Sequence, residues 1–365
     1  MPRALISLGS NVGDRTATLT QALHQIRSHP AIRLQRVSRF LATRPIGGPE
    51  GQPEFLNAAA LLDTTLSPKE LLQQLQRIEQ QFGRVREVRW DQRTLDLDLL
   101  LYDDLIWDDP IWDDPIGSSS ELVIPHPRLA WRGFALHPAA EIAPDWRHPV
   151  IGSTLAELAQ HLRFAPNYLA ISGGNAKRTQ DAAVRLAREL TEPSSTAHHF
   201  EVPTVLLSPP GSEPTRGLLE SDSGSEKTDL PPGLRSLRAQ ALALRQAMTS
   251  HWNTFPRNTW LISDFWLPDR LLQFPHETSS LLQGRELPDP YLAALAQVDA
   301  PKLLIWLEEE PRTKQAREHH ENAVRNGLLR HCHRGPRLVG RVGSWPELLV
   351  EVQAALEAMH DQPSD

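Results

Sequence analysis

The chain has 365 residues, of which 40% are hydrophobic and 23% charged, and its formal net charge is -7. A single hydrophobic core rarely exceeds about 250–300 residues, so this length predicts two domains. The negative balance disfavours general nucleic-acid binding, which needs a basic surface. No run approaches the ~20 apolar residues of a membrane helix and no signal peptide is recognised, so we expect a cytoplasmic protein without a membrane partner.

The first half of the chain alternates short apolar runs with helical patterns. The predicted elements are a strand at 4–8, a helix with apolar residues at 19, 23 and 26, strands at 32–43 and 56–63, a helix at 68–82 and a strand at 94–102. Ser67, Pro68 and Glu70 form the pattern of a capping box at a helix start. This strand–helix–strand–strand–helix–strand order predicts a ferredoxin-like α+β domain.

A second pattern begins near Ala165. Strands are predicted at 168–171, 259–263 and 302–306, and helices at 179–190, 237–248, 291–296 and 345–359. Strands that alternate with helices predict an α/β domain with a parallel sheet. We therefore predict two domains, 1–164 and 165–361. The segment 207–232, rich in proline, serine, glycine and acidic residues, predicts a flexible insertion in the second domain.

Two aspartates, Asp96 and Asp98, lie two residues apart on a predicted strand that is otherwise rich in leucine. Residues at this spacing point to the same face of a strand, and adjacent carboxylates repel unless a cation lies near them. Magnesium is usually held by one or two carboxylates together with substrate phosphates. Because unpaired carboxylates on a mostly buried strand are unfavourable, we favour a metal site over a solvated polar face.

Four arginines stand shortly before this pair: Arg84, Arg86, Arg89 and Arg93. The guanidinium group offers planar, bidentate donors that match phosphate oxygens, although a run of this kind is also typical of a solvated loop. Beside a carboxylate pair, the phosphate interpretation gains weight, since a polyphosphate substrate needs charge neutralisation. Further along the chain, His126 and Arg132 add donors that are able to reach a phosphate.

Four segments of the chain resemble the hydroxymethyldihydropterin pyrophosphokinase family, in the order of that family. They are Leu8-Gly9-Ser10-Asn11, the run from Gln52 to Ala58, the block from Gly83 to Asp98, and Pro125-His126 with Arg132-Gly133-Phe134. The resemblance covers about 4–162. It implies a magnesium-dependent enzyme of folate synthesis that transfers a pyrophosphoryl group from ATP to 6-hydroxymethyl-7,8-dihydropterin and releases AMP.

The resemblance also implies a role for each matching residue. The catalytic residues would be Arg84, Arg93, Asp96 and Asp98. The two aspartates would also bind two Mg²⁺ ions. ATP would contact Arg89, Leu99, His126 and Arg132. The pterin would contact Thr43, Arg44, Ile46, Phe55, Asn57, Trp90 and Phe134, with the two phenylalanines stacking on its faces and Asn57 at its edge. Arg44 departs from the family pattern, in which a proline is expected.

The second domain begins with a run that looks like a damaged phosphate-binding loop. A working loop reads G-x-x-x-x-G-K-[ST] after a strand, whereas here Gly173, Gly174, Lys177 and Thr179 are present at the wrong spacing. Several weaker segments over about 167–360 are similar to the deoxynucleoside kinase family, in which a glutamate would match Glu201. The resemblance implies a P-loop kinase-like fold. We expect that this domain has lost kinase activity and has a structural role, such as the formation of a homodimer.

Two alternatives remain open from the sequence. In the first, the second domain is a working nucleoside kinase with an unusual loop, so that the chain is a bifunctional enzyme. In the second, the whole chain is a regulatory scaffold without activity. The complete set of Asp96, Asp98, Arg84 and Arg93 argues against a scaffold.

Overall fold

The structure is a computed structural model. It describes residues 1–46, 51–83, 93–108, 122–173, 176–191, 204–207, 231–255, 259–273, 287–296, 298, 300–308, 328, 332, 333, 335–341 and 345–360. The chain divides into two compact units, the first containing Met1–Phe164, Ser194–Phe200 and Gln353–Asp365 and the second containing Ala165–Pro193 and Glu201–Val352. Each unit has its own sheet and its own hydrophobic core. None of the described helices combines the length and the apolar character that crossing a membrane requires.

The first unit has seven strands and four helices in its described residues. They are β1 (Arg3–Ser10), α1 (Arg15–Ser28), β2 (Ile32–Val37), β3 (Leu41–Thr43), β4 (Phe55–Thr64), α2 (Pro68–Gln81), β5 (Asp96–Tyr102), β6 (Trp107–Asp108), β7 (Val123–Ile124), α3 (Gly133–Ile142) and α4 (Leu155–Phe164). Strands β2, β4, β1 and β5 form an antiparallel sheet in that order, and β3 pairs with β4. This order is that of the predicted ferredoxin-like arrangement.

Local chemistry explains where the helices of this unit begin. At α2, the Ser67 hydroxyl accepts a hydrogen bond from the Glu70 N–H, and the Glu70 carboxylate accepts one from the Ser67 N–H, which confirms the predicted capping box. At α1, the Asp14 carboxylate accepts from the Ala17 N–H at 2.9 Å. These caps fix the start of both helices, which then pack apolar side chains against the core face of the sheet.

Two features of the first unit differ from the sequence prediction. The strand predicted at 32–43 is interrupted, because β2 ends at Val37 and β3 begins at Leu41. The helix α3 was not predicted, since its first residue is Gly133 and Pro138 lies inside it. Proline removes a backbone donor from a helix interior, so composition alone argues against a helix there. Its buried face, which includes Leu136 and Ile142, provides the stabilisation instead.

The second unit contains a five-stranded parallel sheet. Its elements are β8 (Tyr168–Ser172), α5 (Ala176–Thr191), β9 (Thr204–Leu207), α6 (Pro232–Thr254), β10 (Trp260–Ser263), a 3-10 helix (Leu267–Gln273), α7 (Asp289–Leu295), β11 (Leu303–Glu308), β12 (Arg337–Arg341) and α8 (Trp345–His360). The strand order is β12-β11-β8-β10-β9, and each neighbouring pair is parallel. The first strand of the unit therefore lies at the centre of its sheet.

The two end residues of the predicted insertion at 207–232 belong to described elements. Leu207 is the last residue of β9, and Pro232 is the first residue of α6, where proline at the first helical position needs no hydrogen-bond donor. The stretch between them, 208–230, lies outside the described residues. Glu201, which the kinase resemblance singled out, also lies outside them. Strands β9 and β12 were not predicted.

Candidate active site

A pocket on the first unit is lined by residues from four strands of its sheet and from the start of α3. Its lining residues within 1–164 are Ser7, Leu8, Gly9, Thr43, Arg44, Pro45, Ile46, Gln52, Phe55, Asn57, Arg93, Asp96, Asp98, Trp131, Arg132 and Phe134. Ten of these residues were predicted as site residues from the sequence. They are distributed over about 90 positions of the chain, so only the fold brings them together.

The sheet register aligns the floor of the pocket. Gly9 on the central strand β1 pairs with Asn57 on one side and with Asp96 on the other. A Cβ atom built on Gly9 would lie 3.0 Å from Asn57 Oδ1 and 3.9 Å from Asp96 Cβ. Glycine therefore leaves space between the amide and the carboxylate, and a side chain here would press on the amide oxygen.

The two aspartates lie on one face of β5, and their side chains are 16% and 31% exposed. Arg93 forms an ion pair with Asp96. Burial opposes the charge on Arg93, but the carboxylates of Asp96 and Asp98 outweigh that effect and raise the arginine pKa above its usual value. The site thus combines two partly exposed carboxylates with one firmly charged guanidinium.

The oxygen donors of this pair fit magnesium. Mg²⁺ keeps several waters and takes one or two carboxylates together with substrate phosphates, so it does not need a cage made entirely of protein ligands. The described part of the chain contains no group of three or more histidine, cysteine, aspartate or glutamate side chains that could hold a metal ion. Asp96 and Asp98, both facing the pocket, are the residues that would hold the ion.

Asn11 connects two walls of the pocket. Its Oδ1 accepts a hydrogen bond from the Arg93 N–H at 2.7 Å, and its Nδ2 donates to Gln52 Oε1 at 3.3 Å. The side chain of Asn11 is 1% exposed, and both bonds are partly buried. The amide thereby fixes the start of the Arg93 segment relative to the segment that precedes β4. The sequence reasoning quoted Asn11 as part of a motif without giving it a role.

Glu79 is a second residue that the sequence reasoning missed. Its side chain, on α2, is 2% exposed, and its Oε1 accepts a hydrogen bond from the Leu97 N–H at 2.7 Å. Leu97 stands between the two aspartates on the edge strand β5. The signal was available, because Leu71, Leu75 and Glu79 share a helical spacing of four and a charge on an apolar stripe needs a partner.

The opposite wall of the pocket suits a flat, polar ring. Phe55 and Phe134 both line it, as do Thr43, Arg44 and Ile46. Asn57 is 4% exposed, and its Nδ2 donates to the Thr43 hydroxyl at 2.9 Å. That bond fixes the orientation of the amide, so Thr43 acts on the pocket through its side chain as well as through its backbone.

Arg132 is a partly exposed cation of the pocket. Desolvation, and then the nearby charge of Arg128, lowers its pKa to about 10, against the opposing effect of Asp98 and Asp96. The group is still charged at neutral pH. A partly desolvated cation with another arginine beside it gains from an anion in the pocket.

His126 and Leu99 lie outside the pocket lining. The Nε2 atom of His126 is 4.0 Å from Asp98 Oδ2, and its backbone N–H donates to the Leu100 carbonyl at 2.9 Å. The side chain of Leu99 is 3% exposed and packs in the hydrophobic core, so it does not reach the pocket. Arg84, Arg89 and Trp90 lie outside the described residues.

Carboxylates, guanidinium groups and two aromatic rings in one pocket are typical of a transferase that moves phosphoryl groups to a planar acceptor. Comparison with known proteins identifies the family. The family described as 7,8-dihydro-6-hydroxymethylpterin-pyrophosphokinase (HPPK) matches residues 5–144.

Curated relatives agree with this match. A 2-amino-4-hydroxy-6-hydroxymethyldihydropteridine pyrophosphokinase of Synechocystis sp. is 39% identical over 159 residues, which are 44% of this chain and 75% of the relative. The enzyme of the same name from Bacillus subtilis is 43% identical over 139 residues, 38% of this chain and 77% of the relative. Among solved structures, Plasmodium falciparum HPPK-DHPS with pterin and p-hydroxybenzoate gives a TM-score of only 0.36 at 12% identity, covering 93% of this chain and 81% of that one.

The chain therefore belongs to the HPPK family. It has the activity of a 2-amino-4-hydroxy-6-hydroxymethyldihydropteridine pyrophosphokinase, EC 2.7.6.3, in folate biosynthesis. Members of the family use ATP and Mg²⁺. The family match ends at residue 144 and leaves the second unit without an assignment.

Proposed function

We propose that the pocket of the first unit is the place where ATP and 6-hydroxymethyl-7,8-dihydropterin meet. The observation that carries this proposal is that Asp96 and Asp98 line the same pocket as Phe55 and Phe134. Carboxylates suit the metal-bound phosphates of one substrate, and aromatic rings suit the faces of the other. A single pocket with both properties places donor and acceptor next to each other, which is the main requirement of this transfer.

Asp96 and Asp98 would hold two Mg²⁺ ions in this proposal. When bound, Mg²⁺ neutralises phosphate charge and orients the transferred group. Arg93, which Asp96 and Asn11 hold in place, would bind a phosphate oxygen beside the carboxylates. Arg132 would bind a second phosphate from the wall of the pocket. Arg84 and Arg89 are assigned the same kind of contact from the resemblance.

The pterin would lie between Phe55 and Phe134, with its edge on Asn57. Because Asn57 Nδ2 donates to Thr43, its Oδ1 is directed to the ligand as an acceptor for the amino and ring N–H groups of a pterin. Trp90 and the backbone of Arg44 and Ile46 would complete the enclosure. The described part of the pocket offers no side chain with an evident role as a general base, so positioning and charge neutralisation account for the rate.

An activity assay with matched variants tests this assignment. The full chain is incubated with ATP, Mg²⁺ and the pterin, and AMP is measured for the natural chain, Asp96→Ala and Asp63→Asn. Asp63 lies at the far end of β4, outside the pocket lining, so its variant controls for general damage. We expect a loss of about 10²–10³-fold for Asp96→Ala only. Equal activity in Asp96→Ala and the natural chain would place the reaction elsewhere.

For the second unit, we propose a P-loop kinase-like fold that no longer transfers phosphate. In an open parallel sheet, ligands bind beyond the carboxyl ends of the strands where the strand order reverses, and β8 at the centre ends at such a point. Here the Ser172 hydroxyl at the end of β8 donates to Asp269 Oδ2 at 2.6 Å. Beyond this point, Lys177 and Thr179 do not have the spacing of a working phosphate-binding loop, which supports a structural role over catalysis.

Nucleoside phosphorylation decides between this role and a bifunctional enzyme. The full chain carrying Asp96→Ala, which removes the first activity, is incubated with labelled ATP and each common nucleoside. We expect no labelled nucleoside monophosphate. Transfer of label to any nucleoside would establish the bifunctional alternative. We also propose that two copies pair through the second unit, as the resemblance suggests, and light scattering during size-exclusion chromatography should then give twice the mass of 41.0 kDa.

A further inference from the structure

Trp131 lines the pocket and has no part in the assignment above. Its side chain is 1% exposed, and its Nε1–H has no hydrogen-bond partner among the described residues. A buried indole N–H without an acceptor is unfavourable, so hydrogen bonding does not explain a tryptophan at this position. We therefore look for a role of Trp131 in the contacts that its aromatic ring makes.

The ring of Trp131 faces the neighbouring cation. The Arg132 Cζ atom lies 5.5 Å from the centroid of the Trp131 ring and 5.5 Å from the centroid of the Phe134 ring. Both distances are within the range of a cation–π contact, which strengthens when water is excluded. The guanidinium is therefore in contact with two aromatic rings on the wall of the pocket.

The backbone of Arg132 is fixed independently of these rings. Arg132 precedes α3, its N–H donates to the Arg128 carbonyl at 3.1 Å, and its carbonyl accepts from the Leu136 N–H at 2.8 Å. These bonds fix the Cα position but leave the long side chain free to rotate. Nearby Arg128 and Arg93 repel the guanidinium, whereas Asp98 and Asp96 attract it towards the carboxylates, and the two rings restrain it at the wall of the pocket.

We propose that Trp131 is a positioning residue for ATP: together with Phe134, its ring holds the Arg132 guanidinium where it meets the substrate phosphates. The inference rests on the proposed role of Arg132. It gives Phe134 two functions, since one ring would stack on the pterin and also contact the cation that binds ATP. Loss of either ring should therefore weaken ATP binding without changing the reacting groups.

Kinetic constants of paired variants test this role. Trp131→Leu removes the ring and retains an apolar side chain, and Trp131→Phe retains a ring and removes the unpaired N–H. For Trp131→Leu we expect the KM for ATP to rise about tenfold while kcat changes less than about twofold. For Trp131→Phe we expect most of the ATP affinity to return. A general packing defect would instead lower the thermal midpoint and leave both KM values unchanged.

Trp146 provides a matched control in the same unit. It is 8% exposed, it contacts the Arg3 guanidinium at 4.7 Å, and it is outside the pocket lining. Trp146→Leu should lower the thermal midpoint without raising the KM for ATP. If Trp131→Leu does not fold, Phe134→Leu carries the test, because it removes the second ring and should raise the KM for ATP as well as that for the pterin.

The Arg132→Ala variant tests the proposed role of Arg132 separately from the proposed role of Trp131. An unchanged KM for ATP in Arg132→Ala would overturn the proposed role of Arg132 and the inference with it. A raised KM in Arg132→Ala, with an unchanged KM in folded Trp131→Leu or in Phe134→Leu, would overturn the inference alone. A raised KM in all three variants, restored in Trp131→Phe, is the result that we expect.

Discussion

The two units both place carboxylates at the open side of a sheet, and they differ in what those carboxylates face. In the first unit, Asp96 meets the guanidinium of Arg93. In the second unit, Asp269 Oδ2 accepts a hydrogen bond from the Ser172 hydroxyl at 2.6 Å. An arginine beside a carboxylate adds positive charge that favours a metal–phosphate substrate, whereas a hydroxyl adds no formal charge. The comparison teaches that the partners of a carboxylate help to determine what it binds.

Two glycines, one in each unit, also differ in their surroundings. At Gly9, the missing side chain leaves space between Asn57 and Asp96, and this space belongs to the pocket. At Gly173, the space that a side chain would need is already filled, because a Cβ atom would lie 2.3 Å from the Leu307 carbonyl oxygen. One glycine opens a binding site, and the other allows two backbone segments to close on each other.

Removing one carboxylate from each unit tests this contrast most strongly. We expect Asp98→Asn to lower AMP formation by about 10²–10³-fold, because the variant removes one of the two carboxylates that we propose as metal ligands. Asp269→Asn should leave AMP formation unchanged. Steady-state assays of both variants at saturating ATP provide the measurement. Equal losses would mean that the second unit contributes to the reaction.

Substitution of Gly173 tests the close approach of its backbone to that of Leu307. Gly173 and Gly152 both have φ of 85°, but only Gly173 is crowded by other atoms. Gly173→Ala should destabilise its unit by about 3 kcal/mol, and Gly152→Ala should destabilise its own by only about 1 kcal/mol. In both variants alanine must adopt an unfavourable positive φ, but only at position 173 does its Cβ atom also clash with neighbouring atoms. Urea unfolding, followed by hydrogen exchange to separate the units, measures both values. A similar loss in the two variants would contradict the crowding.

Variants of Glu79 measure how much its hydrogen bond to the Leu97 N–H contributes to stability and to activity. Glu79→Ala leaves the buried Leu97 N–H without an acceptor and should lower stability by about 2 kcal/mol, together with kcat. Glu79→Gln retains an acceptor and should recover most of the stability. Thermal unfolding and AMP assays on the same samples give both quantities. If Glu79→Ala loses stability while kcat is unchanged, the residue supports the fold and not the site.

The smallest expected effect concerns the orientation of Asn57. Thr43→Val removes the hydroxyl that accepts from Asn57 Nδ2 and should raise the KM for the pterin about fivefold, with little change in the KM for ATP. Thr43→Ser restores the hydroxyl and serves as the control. Equal KM values for Thr43→Val and Thr43→Ser would show that the amide is held by other contacts.

The sequence predicted most of the first unit because local signals were strong there. The capping box at Ser67 marked a helix start, and the Asp96–Asp98 spacing identified one face of a strand. Long-range relations were not predictable in this way. Glu79 reaches the Leu97 N–H across 18 residues, and Arg132 contacts two rings at the start of α3. Because Pro138 disfavours a helix, α3 was not predicted from the sequence, and its formation depends on the burial of its apolar side chains in the folded unit.

In the second unit, pattern reasoning found the central strands and missed the outer ones. The buried strand β8 reads as a continuous apolar run, as parallel strands usually do. Strand β12 carries Arg337 and Arg341 at its ends, and Val339 in its middle is 54% exposed, so its sequence lacks that signal. The Ser172–Asp269 bond joins residues 97 positions apart and depends on the fold alone.

The edge strand β5 also bears on how the protein behaves at high concentration. An outermost strand offers free N–H and C=O groups that a strand of another molecule is able to pair with, which is a common start of aggregation. Here the Glu79 carboxylate covers the Leu97 N–H, and the His126 N–H covers the Leu100 carbonyl. These two bonds occupy part of the free edge of the strand that carries the two aspartates and so reduce the number of groups open to intermolecular pairing.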